Sequence, residues 1–581
     1  MKIVCLVKQV PRADAIEFDP ETKSLRREGV PLLLNPFDAA AVAHAVELKE
    51  HGSVQVIAMT MGPPQAQEAL HACLALGADR CIHLSDRAFA VADTIGTSRT
   101  LALAIEKEGG VDLVLCGRKA TDSETSQVPP ETAAFLGWPH LTQVVPPIGI
   151  ADGRIRATRE TDGGYDTYSV CTPAVLSFAG ALDFGATSDG AIDLWSVNDL
   201  VDDSEENDKR FGQTGSPTRV LAVRDVSPDR AGDVFDSADD AVARVRALLH
   251  ERTNEPSSWD KPERLGEKPG KAYDCWTLVE HRDGQAARVS LELLGKGREL
   301  AGKLGGKNVA LVLGADVGEV AREAGRHGAE RVVVADDRRF GIYDPEVWSD
   351  ALQSVVMQAK PHVLLIPATA FGRDIGPRVA GELQLGMTAD CVGLGIDRAG
   401  RLIQTKPAYG GNIVSVIMGS TTPQLATVRP RMFEPLVPRD LEIPAEGLAL
   451  GPPPRPSMRL VEQSAAPAGD LDEADVVVCI GTELAEVPHL PPGVALGGTR
   501  EVCARGLLPR NRHLGLLGRA VAPRLLIAVG VSGDFEELTA FVKADVIAAV
   551  NGDARSPMLR AADVGVAGDW RELLPAFLEL N

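Results

Sequence analysis

Three stretches of this chain return in the same order about 250 residues downstream. Gly77–Asp86, GADRCIHLSD, is echoed by Gly328–Asp337, GAERVVVADD. VDLVLCG from Val111 is echoed by PHVLLIP from Pro361, and RIRATRETDGGYDTYSV from Arg154 by RLIQTKPAYGGNIVSVI from Arg401. A displacement this long is no solenoid period; it calls for two related domains on one polypeptide. Within the first copy, KIVCLV, PFDAAAVAHAVELKE, SVQVIAMT and PPQAQEALHACLALGA alternate strand-like and helix-like patterns. That alternation predicts an α/β fold with parallel sheets and helices on both faces.

Polar, proline-containing stretches punctuate the chain at 202–210 and, more strongly, at 251–271, which is predicted as a linker. A second break near Gly447–Asp470 precedes a final strand-rich stretch. The organisation expected is therefore a first domain at 1–250, a linker at 251–271, a related domain at 272–446, a hinge at 447–470 and a last domain at 471–581.

A formal net charge of -21 makes nucleic acid and anionic membrane surfaces poor partners. The nine cysteines form no CxxC pair, which excludes zinc-finger and iron–sulfur spacings and a disulfide framework. No run of about 18 apolar residues predicts a membrane span. The N-terminus, with Lys8 inside its apolar stretch, reads as a first strand. The expectation is a soluble cytoplasmic protein.

Three polar clusters could carry chemistry. Asp93, Thr94 and Thr97 stand where a loop feeds a helix, a place that suits a phosphate and equally an ordinary helix cap. CGRKATDSETSQV follows a predicted strand, where ligands bind in open α/β sheets, although a solvated loop reads the same. The third cluster, GGTR, GVSGD, AVNGD and VAGDW in the last domain, sets small polar residues after four apolar runs and suggests a dinucleotide cradle. GVSGD is no nucleophile elbow, no histidine follows His513, and no GxxxxGK[ST] loop occurs, so hydrolase and P-loop readings fall away.

These strings carry a resemblance. LNPFDAAAVAHAVELKE, TMGPPQAQEALHACLALGADRCIHL and VDLVLCGRKATDSETSQV resemble the β subunit of electron transfer flavoproteins. SLELLGKGRELAGKLGG, TAFGRDIGPRVAGELQLGMTADC, KPAYGGNIVSVIMG and GRAVAPRLLIAVGVSG resemble the α subunit, so the chain looks like a β–α fusion. The resemblance implies two related, Rossmann-like (adenine-nucleotide-hydrolase-like) domains plus a doubly wound FAD-binding domain. It implies FAD in the α-type site and FAD or AMP in the β-type site. Electrons would come from a flavoprotein dehydrogenase such as an acyl-CoA dehydrogenase and go to a membrane-associated quinone or iron–sulfur oxidoreductase. A bifurcating form with two FADs and NADH, or a redox-inactive assembly subunit, are the alternatives.

Carried over, Arg500 matches the arginine over the flavin and takes the catalytic role, with Thr499 at the flavin edge. Ser532 and Gly533 match the pyrophosphate turn, and Asn551 and Asp569 match residues holding the adenosine portion. Leu6, Asn35, Gly62, Asp93, Thr94, Thr97, Asp122, Thr125 and Gln127 make up the β-type site. Two departures stand out. Leu516-Leu517-Gly518 replaces a Gln-Thr pair before the glycine, and Glu537 stands where many members have a histidine near the flavin N1/O2 edge. GTELAEVPHLPPGVALG, from Gly481 to Gly497, is also shorter than the family's turn and helix there.

Overall fold

A computed structural model describes residues 1–15, 17–19, 24–26, 29–201, 209–225, 230–252, 257–265, 273–411, 413–465 and 471–580. Much of the predicted linker, the end of the predicted hinge and most of 202–210 thus lie outside the described residues.

Short apolar runs form the expected strands, and the parallel ones lie in three sheets. Seven parallel strands of the first sheet run in the order Ile192–Trp195, Arg80–Leu84, Gln55–Met61, Lys2–Leu6, Leu113–Gly117, Ala174–Phe178, His140–Ala151. The second sheet is 7-stranded and parallel: Ala445–Gly447, Arg331–Asp336, Asn308–Gly314, Cys275–Val279, Val363–Pro367, Gln424–Val428, Met387–Cys391. Position by position this is the same order, so the sequence repeat is a repeat of topology. Leu113–Gly117 and Val363–Pro367 are buried throughout, as strands covered by helices on both faces must be.

Each copy then extends into an antiparallel hairpin, Arg154–Thr161 with Gly164–Cys171 in the first and Leu402–Ala408 with Ile413–Gly419 in the second. The outer strand of each hairpin pairs with a strand from elsewhere in the chain. Gly164–Cys171 takes Met458–Ala465, which follows the second copy, and Ile413–Gly419 takes Thr218–Asp225, which follows the first. The exchange is reciprocal, as between the subunits of a two-fold dimer. Met458–Ala465 falls within the predicted hinge, yet it is a strand of the first sheet.

The third sheet is parallel, in the order Asp233–Phe235, Val564–Ala567, Val546–Asn551, Leu525–Val529, Val476–Ile480, Val494–Gly498. Asp233–Phe235 and the helix Ala238–Glu251 are numbered with the predicted first domain but lie with this sheet. That helix packs Ala241, Val245 and Leu248 against Val476, Val478 and Val564. Its apolar face is spaced for a core, and the first sheet's edge is already filled by Ile192–Trp195, so it buries itself on the third.

The first two domains are fastened by a buried cluster. Asp374 accepts from Arg159 and, at 2.8 Å, from the Tyr343 hydroxyl, with His140 3.4 Å away. Although burial works against its charge, Arg159 and His140 hold the Asp374 carboxyl well below the usual carboxylate range.

Candidate nucleotide site at the strand ends

Parallel strands end together, so the loops leaving their C-terminal ends share one edge. In the third domain Gly530–Asp534 leaves the buried strand Leu525–Val529. Gly533 turns the chain at φ +84°, and a Cβ there would lie 2.6 Å from the Met558 amide nitrogen. Neighbouring turns pack backbone to backbone: a Cβ on Gly481 would stand 1.9 Å from the Gly530 carbonyl oxygen. Asn551, at the end of the adjacent strand, donates to the Val531 carbonyl (3.0 Å) and accepts from the Asp553 amide (3.0 Å), bracing one strand end against the next.

The donors of this turn are engaged from within the chain. Ser532 donates its hydroxyl to Glu537 at 2.6 Å, and the Gly533 amide donates to the same carboxylate oxygen at 2.8 Å. Asp534 caps the short helix Phe535–Leu538 through the Glu537 amide, which swings the Glu537 side chain back over the turn. Glu537, read from the sequence as standing near a flavin edge, has its carboxylate on the turn itself. Burial raises its pKa, against the pull of those two hydrogen bonds.

The segment between Ile480 and Val494 contains no helix, in keeping with its shortness. In place of one, Glu483 reaches over the central turn and accepts from the Gly552 amide at 3.0 and 3.1 Å. Thr499 precedes the helix Arg500–Ala504, and its buried hydroxyl has no hydrogen-bond partner. Arg500 pairs with Asp183 of the first domain at 2.6 Å. Asp569, one strand further along, caps its own helix Trp570–Leu578 through the Arg571 amide. Ser532, Gly533, Glu537 and Asn551 therefore converge; Asp569 follows Gly568, whose amide donates to the Asn551 carbonyl, and Thr499 and Arg500 follow the edge strand two places from that of Ser532.

Leu517 is buried, and its carbonyl and that of Gly518 accept from Arg118 of the first domain at 3.1 and 2.6 Å. Gly518 is packed on His513, whose carbonyl oxygen a Cβ would approach to 2.3 Å. Leu514 rather than Leu517 joins the apolar cluster of Val477, Cys479 and Ala528. The Arg118 guanidinium lies over the Phe37 ring, 4.9 Å from its centroid, and burial pushes its pKa down to about 10.

In the first domain the predicted residues divide into two groups. Asn35 donates to the Lys119 carbonyl and accepts from the Thr121 amide, and Asp122 pairs with Lys8 at 2.6 Å. These two hold the loop 118–127, while Leu6 and Gly62 end the neighbouring strands. Thr94 and Gln127 both donate to Glu131 at 3.0 Å, joined by Ser98 at 3.0 Å. Asp93 caps its helix through the Gly96 amide and also accepts from the amide and hydroxyl of Thr218. Thr97 lies on the first turn of that helix and Thr125 in the loop, both half-buried. Pro129 and Pro130, at the start of the helix Val128–Leu136, remove two of the amides a phosphate would use there.

The sequence reading missed Glu131, Glu483, Arg118 and Asp183. Arg118 lies inside the quoted string CGRKATDSETSQV and Glu131 three residues past its end, so the signal was proximity, but Arg118 bonds the Leu517 and Gly518 carbonyls, and Thr94 and Ser98, which donate to Glu131, stand on another helix. No grouping of three or more metal-ligating side chains occurs among the described residues, and none of their helices is long and apolar enough to cross a membrane.

Comparison with known proteins places these edges in context. An electron transfer flavoprotein domain matches residues 22–186 and again 275–453, and the electron transfer flavoprotein FAD-binding domain matches 470–541. The α subunit of the electron transfer flavoprotein of Clostridium acetobutylicum is 34% identical over 320 residues, covering 52% of this chain and 95% of that protein. The β subunit from Thermoanaerobacterium thermosaccharolyticum is 38% identical over 245 residues, covering 40% of this chain and 92% of that protein. The acryloyl-CoA reductase electron transfer subunit beta of Anaerotignum propionicum is 30% identical over 355 residues, covering 53% of this chain and 95% of that protein.

Proposed function

The chain belongs to the electron transfer flavoprotein family, with β-like and α-like parts fused, and we propose from this premise that it shuttles electrons through FAD held by its third domain. The observation that carries the reading is the Gly530–Asp534 turn, whose hydroxyl and amide donors hold an oxyanion, the Glu537 carboxylate. The donor chemistry suits a diphosphate, and the unpartnered Thr499 hydroxyl offers one more polar atom along the same edge. FAD supplies the redox chemistry when bound, accepting and returning electrons.

The chain's own residues do the rest. Ser532 and Gly533 would hold the phosphates, Asn551 keeps two strand ends in register, and Arg500, ion-paired with Asp183 of the first domain, would supply the cation that favours the ring's reduced, anionic form. Arg118 fixes the Leu517–Gly518 segment to the first domain, so a flavin held against that segment would lie beside the seam between the two domains. The first-domain loop 118–127 takes a second nucleotide, FAD or AMP, with Asn35, Asp122, Thr125 and Gln127 about it. Electrons would enter from a flavoprotein dehydrogenase and leave to a quinone-linked or iron–sulfur acceptor in the cytoplasm. Its nine unpaired cysteines suit a reducing compartment. A relative's name, acryloyl-CoA reductase electron transfer subunit, supports a redox partner that works on acyl-CoA compounds.

The test is a visible spectrum with nucleotide extraction from the purified full chain. At least one flavin per chain, bleached by dithionite and restored by air, is expected, and extraction counts the second nucleotide as FAD or AMP. A chain that carries no flavin and takes none up from added FAD would refute the proposal.

A further inference from the structure

The third domain's edge carries two carboxylates seated on donors of its strand-end turns. Glu537 takes the Ser532 hydroxyl and the Gly533 amide, and Glu483 takes the Gly552 amide one strand over. Both come from the chain itself, one from the segment after the turn and one from the helix-free stretch before Val494. Glu537 is buried. An amide or hydroxyl hydrogen that already points at a carboxylate cannot also serve a phosphate, and the two anions repel across so short a gap.

We propose that Glu537 and Glu483 set the nucleotide affinity of this edge: they seal its donors, and a dinucleotide binds through its diphosphate only by displacing them. The inference rests on the flavoprotein reading and concerns residues that reading leaves without a role. It predicts that the chain discriminates between ligands by charge. FAD pays the displacement in full, while riboflavin, which shares the ring and lacks phosphates, does not meet the two carboxylates.

The full chain, freed of nucleotide, is titrated with FAD and with riboflavin, and binding is followed by quenching of flavin fluorescence. Glu537→Gln preserves shape and removes charge; Glu537→Ala and Glu483→Ala empty the seats. FAD affinity should rise at least about tenfold in Glu537→Ala and further in the double alanine variant, with Glu537→Gln intermediate and folding confirmed by circular dichroism. Riboflavin affinity should stay where it was. Equal FAD affinity in all forms overturns the seal and leaves the flavoprotein reading standing, and so does a gain shared equally by riboflavin. If neither wild type nor any variant takes up FAD, the seal and the flavoprotein reading fall together.

Discussion

Glu131 is a fully buried carboxylate that accepts from three side chains, and no ion pair to it occurs among the described residues. Burial pushes its pKa up to about 8 and the charge of Asp93 pushes the same way, against the hydrogen bonds from Ser98, Thr94 and Gln127. Its folded pKa thus exceeds the ordinary glutamate value, so between roughly pH 4.5 and 8 the native state keeps a proton that the unfolded chain has released. Stability should therefore fall as pH rises through that window. Glu131→Gln keeps the shape and removes the titration, so the decline of melting temperature from pH 5 to 9 should become shallower. Thermal unfolding at stepped pH checks this, and an unchanged slope would refute it. Asp374 behaves oppositely: its depressed pKa gives stability that is present above the ordinary aspartate value and is lost in acid. Thr94 and Gln127 could be picked from the sequence because polar side chains after strands are conspicuous. Glu131 could not, because its role exists only once the helices Thr94–Glu108 and Val128–Leu136 lie side by side.

At the level of elements, one side chain starts a helix and anchors a distant strand. Asp93 accepts from the Gly96 amide at 3.0 Å with one oxygen, and from the Thr218 amide at 2.8 Å and hydroxyl at 2.7 Å with the other. Asp93→Ala should cost about 1–2 kcal/mol for the lost cap, and more for the freed end of Thr218–Asp225. Asp93→Asn, which can still accept from Gly96, should cost less. Denaturant midpoints measure the first effect, and faster hydrogen exchange confined to 218–225 would report the second. Most strands were legible as apolar runs because burial on both faces demands them, and the repeat predicted their duplication. Met458–Ala465 escaped because it is an edge strand with most of its residues exposed, and such a strand has a linker's composition. Its identity as a strand lies in a partner almost 300 residues away in sequence, Gly164–Cys171, and no local pattern encodes that.

For the whole molecule, the reciprocal exchange of strands makes each half complete only in the presence of the other. Cutting the chain between residues 265 and 273 should leave two polypeptides that stay together as a one-to-one complex through size exclusion and native mass spectrometry. Expressed singly, each should aggregate or remain unfolded; two stable, independent monomers would contradict this. Breaking the buried Arg159–Asp374 pair with Arg159→Ala should cost roughly 3–5 kcal/mol and weaken that complex. The same exchange also has a consequence in time. On a ribosome adding about 5–20 residues per second, Thr218–Asp225 emerges on the order of 10–40 s before its partner Ile413–Gly419 is made. The hairpin ending in Gly164–Cys171 waits longer still, until Met458–Ala465 leaves the exit tunnel. Throughout that interval the nascent chain shows unpaired strand edges, so the period of synthesis, rather than the life of the finished protein, is when it most needs a chaperone.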